Sequence, residues 1–102
     1  MDTVNAIAKA RFASAKPQRV QLQKDDDGLS VEMLCLEPGQ DVSVRSGQWA
    51  YYVVTGTAVV QTGDQRHDIS TGHVAVSAPD ERHTLSNASE TRLICLAVQR
   101  SA

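Results

Sequence analysis

Aromatic residues, cysteines and long apolar runs are all scarce in this chain, and each scarcity closes off a class of function. One Trp, two Tyr and one Phe occur in 102 residues. With so few ring faces and no basic-aromatic stripe, a platform for single-stranded nucleic acid is not expected. Ten Lys and Arg stand against twelve Asp and Glu, for a formal net charge of -2. That balance, with no basic run, gives no electrostatic case for nucleic acid or an anionic membrane as partner. No stretch approaches the apolar length that spans a bilayer. The opening residues Met1-Asp2-Thr3-Val4-Asn5 lack the basic segment and apolar run of a secretory leader, so a cytoplasmic protein is expected. Cys35 and Cys95 each sit inside an apolar run, Met33-Leu34-Cys35-Leu36 and Leu93-Ile94-Cys95-Leu96. They read as small buried hydrophobes kept reduced, not as reactive thiols, which need an electropositive and partly exposed setting. No glycine-rich loop precedes a helix, and no serine lies in a nucleophile elbow.

What the chain does have is short β-prone segments with clear punctuation. Its length suits one domain around one core, and 41% hydrophobic residues is normal for a globular chain. Val4, Ile7, Ala8 and Phe12 fit one face of a short helix. Pro17 limits that helix by disfavouring helical geometry at Lys16. Residues 1–18 are therefore set apart as an N-terminal extension, and residues 19–102 as a single β domain. In that domain the turn residues Asp25-Asp26-Asp27-Gly28, Pro38-Gly39, Ser46-Gly47, Gly56, Thr62-Gly63-Asp64, Ser70-Thr71-Gly72, Pro79 and Asn87-Ala88-Ser89-Glu90 separate Val-, Leu- and Tyr-rich runs. About eight or nine strands result, at the spacing of sandwiches and barrels. No helix of useful length follows residue 18, which excludes a parallel sheet with helical crossovers.

Four segments in order resemble the cupin superfamily, in its small single-domain form. Cys35-Leu36-Glu37-Pro38-Gly39-Gln40 is similar to the Pro-Gly turn that opens the first cupin motif, and Tyr51-Tyr52-Val53-Val54-Thr55-Gly56 to its end. Gly72-His73-Val74-Ala75-Val76-Ser77-Ala78-Pro79 is similar to the opening of the second motif, and His83-Thr84-Leu85-Ser86-Asn87 to its close. The resemblance implies an all-β fold, a double-stranded β-helix (jelly-roll barrel) with a pocket at one end. In metal-dependent relatives the first motif supplies two His and a carboxylate, and the second supplies one His. Here Arg45, Gly47 and Trp49 stand at the first three positions, and His83 alone remains. One imidazole cannot hold a transition metal, which needs three or four converging ligands. An arginine would add repulsion. Neither a metal nor another cofactor is expected. A replacement site from His67, His73, Asp80 or Glu81 is conceivable, but the first two belong to a hairpin and a turn, where exposure is the rule.

Four residues are the pocket candidates. Alternation places His83 on one face with Leu85 and Asn87. There it serves as a pocket group, a general acid or base, or a satisfied buried histidine. Arg45 has two readings. The family position points it inward with Ser43, where its charge needs an anionic partner. The alternation of Val42 and Val44 points it into water. Trp49 and Tyr51 share a strand face with Val53, as core filling or as a ligand-contacting pair. The other face of that strand, Ala50, Tyr52 and Val54, is also apolar, so both faces read as buried. The second needs cover from the N-terminal segment or a second subunit. Small cupins commonly dimerise, so the resemblance implies a homodimer. The leading expectation is a metal-free domain that binds or senses a small molecule, anionic if Arg45 turns inward. The rivals are a metal-independent isomerase or lyase using His83, and a dimeric interaction protein whose pocket is filled.

Overall fold

The computed structural model describes residues 1, 3–24 and 28–101. Nine strands are found among them: β1 (Gln18–Lys24), β2 (Leu29–Leu36), β3 (Asp41–Val44), β4 (Gln48–Thr55), β5 (Thr57–Thr62), β6 (Gln65–Ser70), β7 (Val74–Val76), β8 (His83–Ser86) and β9 (Leu93–Arg100). They form two antiparallel sheets, ordered β1-β2-β9-β4-β7 and β3-β8-β5-β6. The all-β double-stranded architecture implied by the sequence is the one observed.

The turns act where their residues direct. Beyond β2, the Gln40 amide donates to the Glu37 carbonyl at 3.1 Å across Pro38-Gly39. Thr62 pairs with Gln65 around Gly63-Asp64. Gly56, between β4 and β5, has φ +100°, and a Cβ there would lie 2.7 Å from the Arg92 carbonyl oxygen. Glycine alone meets both demands without strain. The turn expected at Asp25-Asp26-Asp27-Gly28 lies, apart from Gly28, outside the described residues.

Period-two alternation builds the core. The first sheet contributes Leu34, Leu36, Trp49, Tyr51, Val53, Leu93, Cys95 and Ala97, and the second contributes Val42, Val44, Ala58, Val60, Ile69 and Leu85. Each large side chain among them gains about 1.5–3 kcal/mol from leaving water. One polar group anchors the margin of this core. Asn87, 1% exposed, donates to the carbonyls of Leu36 (3.0 Å) and Thr91 (2.7 Å), and its Oδ1 accepts from the Ser89 amide and hydroxyl.

Two expectations are corrected. The helix over Val4 to Phe12 shrinks to one 3-10 turn, Ile7–Lys9. Val4 and Ile7 are exposed, so no apolar face supports a longer helix, and short helices do not persist alone. The segment instead lies along the barrel: Gln40 Nε2 donates to the Ala13 carbonyl at 2.7 Å, and the Arg92 guanidinium sits 4.5 Å from the Phe12 ring centre. The outer face of β4 is also less covered than expected. Ala50 and Val54 are half-buried and Tyr52 is 43% exposed, whereas Met33 and Cys35, on the outer face of β2, are fully buried. The backbone of Arg11 reaches the Cys35 thiol, so the N-terminal segment covers the β2 side of the sheet.

Candidate functional site

Val42 pairs with Leu85 and Val44 with His83 across β3 and β8. Paired residues share a face, so the buried Val42, Val44 and Leu85 carry His83 to the interior. Ser43 and Arg45 fall on the opposite parity and are exposed. On β4 the inward parity is Trp49, Tyr51 and Val53, all buried. Tyr51 therefore meets His83 across the gap between the sheets, with its Oη 2.6 Å from Nε2. The other ring nitrogen, Nδ1, is 2.7 Å from the Glu81 carbonyl oxygen. A carbonyl only accepts, so Nδ1 carries a proton. In the neutral ring Nε2 is then the acceptor, and Tyr51 donates its hydroxyl hydrogen to it. Burial pushes the Tyr51 phenol well above its ordinary pKa, because the interior disfavours the phenolate. In that arrangement a lone pair of Tyr51 Oη is left to accept from a third group.

A cavity of about 110 Å³ opens beside this pair. Its polar wall includes Tyr51, Thr62, Gln65, His67, Glu81 and His83, and its apolar wall Val60, Ala75 and Val76. Thr62, Gln65 and His67 come from the β5–β6 hairpin, where Val60 pairs with His67 and Thr62 with Gln65. The space equals about four waters at ~30 Å³ each, well below the usual ~300–1,000 Å³ of a site for a drug-sized ligand.

Trp49 is stacked on Tyr51, with centroids 5.8 Å apart and planes 7° apart. Its Nε1 donates to the Ser46 carbonyl at 2.8 Å. The Arg19 guanidinium lies 5.8 Å from the Trp49 centroid, and the His83 ring packs edge-on against Tyr51 at 5.5 Å. Arg19, Trp49, Tyr51 and His83 thus form one file through the barrel. Of the four pocket candidates, Tyr51 and His83 line the cavity. Arg45 and Trp49 instead line a separate polar groove at the other end of the file.

The donor set does not fit the metal of the metal-dependent relatives. Arg45 is outside, Trp49 fills the carboxylate position with an indole, and both nitrogens of His83 are engaged. No group of three or more His, Cys, Asp or Glu side chains converges among the described residues. His73 is tied to its own turn through Ser70.

The sequence does not single out Thr62 or Gln65 as pocket groups; Glu81 and His67 enter it only as replacement metal ligands, with His67 expected at the surface. Ile69 is the buried residue of β6, and its parity puts Gln65 and His67 on the cavity side of the hairpin, where both stay exposed, as the sequence leads one to expect for His67. No sequence signal marks the Glu81 carbonyl, because a backbone acceptor has no residue identity.

Residues 32–99 match the Cupin_2 family, the cupin domain. The chain belongs to the cupin family. This cupin resembles the TT1209 protein from Thermus thermophilus with a TM-score of 0.90 and 21% identity, over 99% of this chain and 98% of that one. An uncharacterised protein with a double-stranded β-helix domain from Klebsiella pneumoniae subsp. pneumoniae gives a TM-score of 0.87 at 20% identity, over 99% and 90%. A cupin superfamily protein from Desulfitobacterium hafniense gives 0.83 at 16%, over 100% and 94%. At such identities the likeness is one of fold. No curated protein matches the sequence. None of the described helices is long and apolar enough to cross a membrane.

Proposed function

We propose that this cupin is a small-molecule-binding domain that takes its ligand in the cavity beside Tyr51 and His83. The observation that supports it most is a buried polar pair facing open space with an acceptor lone pair of Tyr51 Oη still free among the described contacts, since buried polar groups are costly unless they serve structure or a ligand. Among the described residues no Lys or Arg lines that cavity, and Glu81 does. The exposed position of Arg45 removes the ground for an anionic ligand there, so a small uncharged or cationic molecule is the class favoured. The volume admits a compact molecule or one end of a larger one. Native mass spectrometry of purified protein, followed by NMR titration of the identified compound, tests this. Saturable shifts at Tyr51, Ala75 and His83, lost in Tyr51→Phe, support the reading. Shifts confined to residues outside the cavity overturn it.

The 2.6 Å contact favours one second reading, a metal-independent isomerase or lyase. A neutral His83 beside Tyr51 can exchange a proton with a bound molecule. Turnover with a bell-shaped pH profile, abolished by His83→Gln while ligand affinity persists, distinguishes enzyme from binder.

A homodimer and a cytoplasmic setting complete the proposal. Val76 pairs with Ala50 and Val74 with Tyr52 on the outer face. Val74, Val76 and Tyr52 are 60%, 65% and 43% exposed. These four carry no charge, so the patch meets itself about a two-fold axis without repulsion. Sedimentation of Val76→Glu checks this, with dissociation of a wild-type dimer expected. Two buried free thiols suit a reducing compartment.

A further inference from the structure

The geometry points to a second binding site, one for a phosphate group, in the groove at the Arg19 end of the file, away from the Tyr51–His83 cavity. The groove encloses about 270 Å³ and is lined by Arg19, Ser43, Arg45, Ser46, Trp49 and Gln99. Two arginines, two serines and a glutamine thus border one groove beside an indole. Arg45 makes no ion pair among the described residues. Arg19 does: its Nε and Nη2 both donate to Glu32 Oε1, at 3.1 and 2.6 Å. That leaves its Nη1 unengaged among the described contacts. Counting Glu32, the site holds one net positive charge, with donors spread over several directions.

This set suits a tetrahedral oxyanion. A guanidinium offers planar, always-charged N–H donors whose fit to phosphate a lysine does not reproduce. Hydroxyls at Ser43 and Ser46 add short donors. Ser43 Oγ lies 3.2 Å from Thr84 Oγ1, and with Thr84 as the donor there the Ser43 hydrogen stays free for the anion. The chain as a whole carries a charge of -2. A long polyanion would therefore meet net repulsion, and a phosphate on a small molecule is the form the site takes.

Trp49 provides an internal reporter. It is the chain's one Trp, it is 4% exposed, and Arg19 faces its ring. Inorganic phosphate is titrated against sodium chloride at matched ionic strength, and Trp49 fluorescence and thermal midpoint are followed. A saturable, phosphate-specific change is expected in both. Arg45→Gln weakens it at least about tenfold, the loss of a charged hydrogen-bonding partner. Glu32→Gln tightens it severalfold by releasing Arg19, a gain that a merely structural role for Glu32 would not produce. Arg66→Gln, a surface arginine paired with Asp68 on β6, leaves it unchanged. The inference is overturned by the absence of a saturable response up to about 50 mM phosphate, a concentration beyond which simple screening dominates. An Arg45→Gln protein that responds like wild type overturns it equally.

Discussion

Tyr51→Phe isolates the contact on which the cavity reading depends. The substitution keeps the ring, and therefore the stack on Trp49 at 5.8 Å. It deletes only the hydroxyl that donates to His83 Nε2 at 2.6 Å. Tyr51 is 1% exposed and His83 4%, so the bereft nitrogen has no direct route to bulk solvent. An unsatisfied buried acceptor costs about 1–3 kcal/mol. The adjoining cavity of about 110 Å³ has room for water, and a water that reaches Nε2 recovers part of that cost. The expected loss therefore lies near the lower end, about 1–1.5 kcal/mol. For a domain of this size, each kcal/mol lowers the thermal midpoint by about 4–8 °C. Urea unfolding followed through Trp49 gives the stability directly.

His83→Ala costs more by itself, because it also removes the Nδ1 donor to Glu81 and the edge-on packing against Tyr51. The informative quantity is the coupling in the double-mutant cycle. If Tyr51 donates to His83, the double mutant is less destabilised than the sum of the singles by about 1 kcal/mol. Additivity within about 0.3 kcal/mol, with Tyr51→Phe as stable as wild type, would refute a stabilising hydrogen bond between the two side chains.

Three further outcomes follow from the same contacts. Asn87→Ala strips the Leu36 carbonyl of its side-chain donor and leaves the Thr91 carbonyl with Ser89 Oγ alone, and it lowers stability by about 1–3 kcal/mol, since the Leu36 acceptor is left in the interior; chemical denaturation checks it. Gly56→Ala costs about 1–3 kcal/mol, because its φ of +100° and the Arg92 carbonyl 2.7 Å from the new Cβ must both yield, whereas Gly63→Ala, with nothing within 4 Å, costs only the φ term. Burial pushes the Cys95 thiol from 9.0 up to about 12. The folded chain thus keeps a proton that the unfolded chain releases, so stability is full below pH 9 and falls as pH rises towards 12. The limiting slope is about 1.4 kcal/mol per pH unit per thiol. Cys95→Ala flattens the measured stability profile over that window, and an unchanged slope would count against the burial argument.

How far the sequence exposes the site differs from residue to residue, for physical reasons. In β8, His-Thr-Leu-Ser-Asn sets apolar against polar at period two, so the inward face is readable, and His83, Leu85 and Asn87 are buried. Around Arg45 two readings compete, and burial of Val42 and Val44 at 8% each shows which dominates. Two valines gain more from the core than a guanidinium loses by staying in water. In β4 both faces are apolar, so alternation carries no contrast, and only the partner strands decide that Trp49 and Tyr51 point inward. Arg19 is invisible for another reason. Its place over Trp49 is set by the pairing of β1 with β2, a contact across the sheet that a single strand does not announce.

Trp49 connects the donor set to the shape of the cavity. An indole cannot ligate, and it also occupies volume. Stacked on Tyr51 and capped by Arg19, it closes the barrel from one side. The space left beside His83 is compact, and the Arg19–Arg45 groove is partitioned from it. Only without a metal can both nitrogens of His83 turn to Tyr51 and the Glu81 carbonyl, since a ligating imidazole must give one of them to the ion. The indole therefore accounts for the small cavity and the separation of Arg45 from His83. A smaller residue at position 49 should merge the two compartments. Trp49→Ala, if folded, is expected to admit larger ligands at the cavity while losing the rigid floor of the groove. Comparing the two sites' affinities in that variant would show whether the indole serves as a wall between them.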